Sequence, residues 1–121
     1  GRRLMDVALR LARPLPTAIF AHNDAMAIGA LEVLESRGLA CPAEVSVMGY
    51  NDAPLSEHLT PPLTTIGYPS VEVGRFAAEV ALQHIEDADR SSPHVSFAPT
   101  LIVRGSTAPP RPVDEDGAAP R

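Results

Sequence analysis

Apolar runs and helical apolar stripes alternate along the first half of the chain. Apolar positions recur at helical spacing over residues 4–11, which predicts a first helix over about residues 2–12 that ends before Pro14. The predicted apolar face of this helix consists of Leu4, Val7, Ala8 and Leu11. Residues 17–21 and 45–49 are short apolar runs. Both predict buried strands of a parallel sheet, and the first run, which has no alternation, is expected to be covered on both faces.

A second helix is predicted between these two strands. Asp24 stands where a side chain can cap its start, and Gly38 suits the left-handed conformation in which helices often end. Its predicted apolar face consists of Ala27, Ile28, Leu31 and Leu34. The first half of the chain therefore has the order helix, strand, polar loop, helix, strand, polar loop.

The second half begins with a predicted helical turn at residues 53–58, and Pro61-Pro62 then force an extended path into the β-rich residues 63–66. Ser70 opens a third predicted helix, which runs to about Asp87. Its apolar stripe consists of Val73, Phe76, Ala77, Val80, Ala81, Leu82 and Ile85.

The final part of the chain contains two short β-rich segments around Pro99. Residues 96–98 and 100–103 are predicted as strand segments. Residues 108–121 are rich in proline, alanine and acidic residues, so they offer little apolar area against the entropy of ordering. We expect this tail to be disordered.

Alternating strands and helices predict a parallel α/β sheet with right-handed connections. In such sheets, ligands bind beyond the carboxyl ends of the strands. The two polar loops, residues 22–24 and 50–52, follow the two predicted parallel strands directly. Both loops are therefore expected to lie at a ligand-binding edge.

Composition narrows the possible functions. The 121 residues carry a net charge of −5 and 10 cationic side chains, all arginine, so this segment is not expected to bind nucleic acid phosphates. Its apolar runs are shorter than the roughly 20 residues of a membrane span, and its first residues lack a signal-peptide cleavage pattern. A single cysteine, Cys41, excludes an internal disulfide and agrees with a cytoplasmic location.

The order of several short motifs resembles the effector domain of the LacI/GalR repressors, which share the type I periplasmic-binding-protein fold. The motifs are PTAIF before an Asn-Asp pair, a helix with MAIGA, GLACP before VSVMGY, PPLTTI, and the closing PTLIVRGST. The resemblance extends from Leu4 to Thr107.

This resemblance implies a two-lobed domain with an effector in the cleft between the lobes. It assigns residues 1–66 to the C-terminal lobe, residues 67–93 to a helix that in relatives packs on the N-terminal lobe, and residues 94–107 to a return strand. Thr65 and Ile66 would form a hinge. The helix-turn-helix headpiece and most of the first lobe would lie outside this chain.

The resemblance also implies roles for residues of the polar loops. Asn23 and Asn51 match positions that bind the effector in relatives, and the amide group suits the hydroxyl groups of sugars. Many relatives have an aspartate at the position of Asn51. His22, Asp24 and Asp52 are interpreted as possible ligand contacts, and the two aspartates more readily as caps of the helices that follow.

Four apolar residues have two possible roles. In the family, the matching positions lie at a dimer interface, but the same side chains also fit an ordinary core. They are Ile28, Leu31, Leu55 and Leu59.

The sequence therefore predicts the sensor portion of a LacI-type regulator. The expected partners are a sugar-like effector, a second copy in a homodimer, and operator DNA bound through the headpiece. Catalysis, a metal or a cofactor is not expected, because the four histidines and the serines lack the required spacing. The alternatives are a fragment of an exported sugar-binding protein of the same fold, or a truncated gene product without independent function.

Overall fold

The structure is a computed structural model that describes residues 1–12 and 14–110. It contains three helices, four strands and one turn of 3-10 helix within these residues. In chain order they are α1 (Arg2–Leu11), β1 (Ala18–Phe20), α2 (Asp24–Ser36), β2 (Ser46–Met48), the 3-10 turn (Ser56–His58), β3 (Thr65–Gly67), α3 (Ser70–Glu86) and β4 (Thr100–Ile102). Most of the predicted tail, residues 111–121, lies outside the described residues.

Strands β1 and β2 form the predicted parallel pair. Ala18 pairs with Ser46 and Phe20 with Met48. On its other side, β2 receives a parallel bridge between Met48 and Thr64, and the Val47 amide donates to the Ser106 carbonyl at 2.8 Å. Strand β2 therefore lies at the centre of the molecule, which explains why Ser46 and Val47 are buried.

Two predicted features of α2 are confirmed: its buried apolar face and the left-handed glycine after its end. Leu34 and Ala27 are buried, and Gly38 after the helix has a φ of 69°, which is easy only for glycine. The cap is different from the prediction. The side chain of Asn23, and not that of Asp24, accepts a hydrogen bond from the Met26 amide at the start of the helix.

Helix α1 packs against α2 through a face that the apolar pattern did not predict. Met5 and Leu9 are buried, whereas Leu4 and Leu11 are exposed. A side chain at Gly29 of α2 would overlap the start of α1, since its Cβ would lie 2.7 Å from the Arg2 nitrogen. Because Gly29 has no side chain, the start of α1 can lie close to α2. This close approach determines which face of α1 is buried.

The prediction that β1 is covered on both faces is wrong. Phe20 is 62% exposed, and Ala18 is exposed as well. A continuous apolar run shows only that a strand can be buried on two sides. Among the described residues, the side of β1 that carries Ala18 and Phe20 therefore stays largely open.

The second pair of strands is antiparallel, which departs from the predicted parallel sheet. Thr65 pairs with Ile102 and Gly67 with Thr100. The strand predicted at residues 96–98 is absent, because this segment has no pairing partner within the described chain and Pro99 cannot donate to a ladder.

Helix α3 has the predicted bounds, but none of its residues is buried. Val71 and Ile85 are 79% and 80% exposed. The ring of Phe76 meets that of Phe97 edge-on at 6.0 Å. Most of the apolar stripe therefore lacks cover among the described residues.

Candidate ligand site

The two polar loops meet at the carboxyl ends of β1 and β2. The backbone amide of Asp24 donates to the Tyr50 carbonyl at 3.0 Å, and the Ala53 amide donates to Asp24 Oδ2 at 2.7 Å. Because the loops are bonded to each other, their side chains share one edge of the sheet.

Asn23 has one satisfied and one unsatisfied side-chain group. Its Oδ1 accepts from the Met26 amide at 2.8 Å, which satisfies a free N–H at the helix start. Its NH₂ group has no partner within residues 1–12 and 14–110. The same side chain can therefore cap α2 and donate to a ligand.

Asn51 lies at the surface in an uncommon backbone conformation. Its φ is 111°, and its amide donates to the Ile66 carbonyl at 2.8 Å. The side chain is exposed and has no hydrogen-bond partner in the described part of the chain. Both of its polar groups are thus available to a ligand.

Asp24 is a buried cross-link, and its predicted role as a cap of α2 is wrong. It is 1% exposed. Oδ2 accepts from the Ala53 amide and the Ser56 hydroxyl, each at 2.7 Å, and Oδ1 accepts from the Thr65 hydroxyl at 2.6 Å. The oxygens of the buried side chain are satisfied by these three donors.

Asp52 does not cap the following helical turn either. That turn begins after Leu55 without a side-chain cap. The Asp52 carboxylate instead pairs with Arg104, with Oδ1 at 2.7 Å from Nη2. The role predicted from sequence fails because the partner lies 52 residues away.

His22 is exposed beside these loops, and its ring has no hydrogen-bond partner among the described residues. Within the same residues, no three His, Cys, Asp or Glu side chains are placed to hold a metal ion. The open polar groups at this edge therefore include one imidazole and two amides.

Two further features of this edge were missed by the sequence analysis. Arg104 supports the Asp52 loop, and the rings of Tyr50 and Tyr68 stack at 5.9 Å. A signal for Arg104 was present, because it stands inside the apolar closing motif, where a cation needs a partner.

A second surface feature is an apolar groove of about 400 Å³. Three of the four residues predicted as interface or core line it: Ile28, Leu31 and Leu59. Leu55 lies outside the groove lining and is 56% exposed. Cys41 also lines the groove, and partial burial raises the pKa of its thiol.

These observations define an α/β domain with a cluster of polar side chains at the strand ends. A sequence profile described as the periplasmic binding protein-like domain matches residues 1–107. The chain belongs to this family. Among residues 1–12 and 14–110, none of the helices has the length and apolar character needed to span a bilayer.

The matching proteins include transcriptional regulators. The ribose operon repressor of Haemophilus influenzae is 38% identical over 91 residues, which are 75% of this chain and 27% of that repressor. The chain thus spans about a quarter of that relative's length.

Solved structures agree in fold. A LacI family regulator from Enterococcus faecium with bound ribose has a TM-score of 0.77 at 30% identity, covering 88% of this chain and 40% of that one. The complex of the transcriptional regulator CelR with cellobiose has a TM-score of 0.81 at 32% identity, covering 88% of this chain and 32% of that one.

Proposed function

We propose that this chain is part of the sensor domain of a LacI-type transcriptional regulator and binds a small effector at the carboxyl ends of β1 and β2. One observation carries the proposal. The two carboxylates of the polar loops are occupied by internal partners, whereas the free groups of Asn23, Asn51 and His22 have no partner in the described residues. The open groups are those that a ligand would meet.

The chemistry of these groups favours an uncharged, hydroxyl-rich effector. Amides donate and accept, as sugar hydroxyls do, and the nearby carboxylates are already paired. The relatives with bound ribose and cellobiose support the sugar class. Because the resemblance implies an aspartate at the position of Asn51 in many relatives, we propose that the neutral amide here makes weaker hydrogen bonds to hydroxyls, without the charge assistance of a carboxylate.

Operator DNA would be bound by a headpiece outside this chain, in the cytoplasm. The net charge of −5 disfavours phosphate binding by this part of the protein. Effector binding would change the arrangement of two lobes about Thr65 and Ile66, with residues 1–66 in one lobe and residues 67–93 docked on the other. Residues 94–107 would form the return strand.

We also propose that the apolar groove is a homodimer face. Ile28, Leu31 and Leu59 together present apolar area to solvent along one surface, and apolar area of this kind suits the core of a twofold interface. Leu55 would lie at the margin of this face.

Two alternatives remain distinct from this proposal. An exported sugar-binding protein of the same fold would use the same strand-end site, and a truncated product would bind no effector. The regulator is favoured because the matching relatives are repressors and LacI family regulators.

The test is calorimetric titration of ribose and cellobiose into the complete polypeptide that contains these residues. We expect binding of at least one sugar, and Asn51→Gly, which removes the amide but keeps the positive φ accessible, should weaken it about tenfold through loss of paired hydrogen bonds. The matched control is Gln83→Ala, which removes an amide from α3. Binding of neither sugar would refute the sugar class, and unchanged affinity in Asn51→Gly would refute the contact.

A further inference from the structure

The loop that carries Asn51 contains two consecutive left-handed residues. Asn51 has a φ of 111° and Asp52 a φ of 52°. Asn and Asp tolerate this region better than other side chains, but two such residues in succession need support from their surroundings. Strained backbone of this kind is concentrated at ligand-binding loops.

Three contacts hold this turn from the β3–β4 side. The Asn51 amide donates to the Ile66 carbonyl at 2.8 Å. The Asp52 amide donates to the Thr65 hydroxyl at 3.4 Å, and the Asp52 carboxylate pairs with Arg104 at 2.7 Å. Only the last of these contacts is charge-assisted and therefore strong.

Two further hydrogen bonds hold Arg104 in place beside Asp52. Its Nη1 donates to the Leu63 carbonyl and its backbone amide to the Thr64 hydroxyl, each at 3.0 Å. The side chain is only 18% exposed. One rigid guanidinium thus joins the end of β4, the start of β3 and the Asn51 loop.

We propose that Arg104 is a positioning residue that holds the Asn51–Asp52 turn in its left-handed conformation and so keeps the Asn51 amide at the ligand-binding edge. The inference rests on the proposed function, in which Asn51 contacts the effector. A merely structural role, in which Arg104 staples β4 to β3, would stabilise the whole domain without a specific effect on this loop.

The geometry requires arginine and not only a positive charge. Nη1 and Nη2 bond to two different oxygens, on Leu63 and Asp52. The single ammonium of a lysine lacks this planar fork. Arg104→Lys should therefore hold the Asn51–Asp52 turn in part, and Arg104→Met should no longer hold it.

The experiment is amide hydrogen exchange on the complete polypeptide without ligand. In Arg104→Met, we expect the Asn51 and Asp52 amides to exchange about tenfold faster or more, with α2 amides within about twofold of wild type. Arg104→Lys should give an intermediate rate. Asp52→Asn keeps a side chain that tolerates positive φ, and it should also speed exchange, without further acceleration in the double variant.

The matched control is Arg75→Met, which breaks the exposed Arg75–Glu79 pair on α3 and should leave exchange at Asn51 unchanged. Unchanged exchange at Asn51 in both Arg104→Met and Asp52→Asn would overturn the proposal. Equal acceleration in α2 would overturn it too, because the effect would then be global. If Arg104→Met does not fold, exchange at Asn51 and in α2 is compared in Asp52→Asn and Arg104→Lys instead. Faster exchange at Asn51 alone supports the proposal, and unchanged exchange at Asn51 or equal acceleration in α2 overturns it.

Sugar titration separates this inference from the proposed function. If exchange accelerates at Asn51 while neither ribose nor cellobiose binds the wild-type polypeptide, the positioning role stands and the sugar proposal fails. If a sugar binds through Asn51 but Arg104→Met leaves both exchange and affinity unchanged, the positioning role fails and the sugar proposal stands.

Discussion

Asp24 Oδ1 lies 2.6 Å from the Thr65 hydroxyl, although 41 residues separate the two in sequence. The same carboxylate reaches the loop after β2 through Ala53 and Ser56. One buried side chain thus links the start of α2, the second polar loop and β3. The candidate ligand site is built on this link, which leaves the amides of Asn23 and Asn51 outside it.

Removing the Asp24 carboxylate should destabilise the domain. Asp24→Ala leaves three donors, two of them buried, without their acceptor, and we expect the free energy of unfolding to fall by on the order of 3 kcal/mol. Asp24→Asn keeps one acceptor oxygen and should cost less. Ser56→Ala removes a single donor and should cost about 1 kcal/mol. Urea denaturation of the complete polypeptide measures this series, and equal losses in Ser56→Ala and Asp24→Ala would contradict the cross-link.

The two roles of Asn23 can be separated by substitution. Asn23→Ser keeps an oxygen that can cap α2 but removes the amide nitrogen, so we expect nearly unchanged stability and weaker affinity for ribose or cellobiose. Asn23→Ala loses both groups and should also cost about 1 kcal/mol of stability. Thermal unfolding and sugar titration give the two readouts. A Ser variant with wild-type affinity would show that Asn23 is only a cap.

Protonation of Asp6 at acid pH should weaken the contact between α1 and α2. The hydrogen bond from Arg37 holds the pKa of Asp6 below its ordinary value, with a smaller contribution from Arg10. Because the folded pKa is the lower one, this stabilisation is present above the unfolded pKa and is lost as pH falls through the folded pKa.

NMR titration of the Asp6 carboxyl checks this assignment. Arg37→Met should raise the Asp6 pKa toward its ordinary value, and Arg10→Met should raise it less, because Arg37 makes the dominant hydrogen bond. A larger effect from Arg10→Met would mean that the helix–helix ion pair is not the main cause.

The parts of the fold that were predicted correctly depend on local sequence. Helical periodicity and Gly38 placed α2, and apolar runs placed β1 and β2. The exposed Phe20 and the antiparallel β4 were not predicted. Both depend on which distant elements cover or pair with a segment, and the local pattern carries no information about that.

The candidate ligand site also combines features that depend on local sequence with features that depend on distant contacts. The loops of Asn23 and Asn51 could be located, because polar residues directly follow apolar strands. The roles assigned to Asp24 and Asp52 were wrong, since their partners Ser56, Thr65 and Arg104 lie 32, 41 and 52 residues away. In sequence, a short polar side chain before a helix resembles a cap even when it forms its hydrogen bonds with distant residues in the fold.

The apolar groove gives the last prediction, which concerns self-association. Leu59 is half-buried and lines the groove with Ile28 and Leu31. A carboxylate placed there would be desolvated on dimer formation without a cationic partner in the groove lining, so Leu59→Glu should weaken dimerisation about tenfold or more. Ser36→Glu adds the same charge on α2 outside the groove lining and should have little effect.

Sedimentation of the complete polypeptide over a range of concentrations measures the dimer dissociation constant for both variants, and circular dichroism verifies that each is folded. Equal constants for folded Leu59→Glu and wild type would place the dimer face elsewhere. In that case the groove would be a partly open edge of the core, which is the other role that the sequence allowed for these leucines. A selective loss in Leu59→Glu would assign the groove to the interface, because Ser36→Glu controls for the same added charge at a position outside the groove lining.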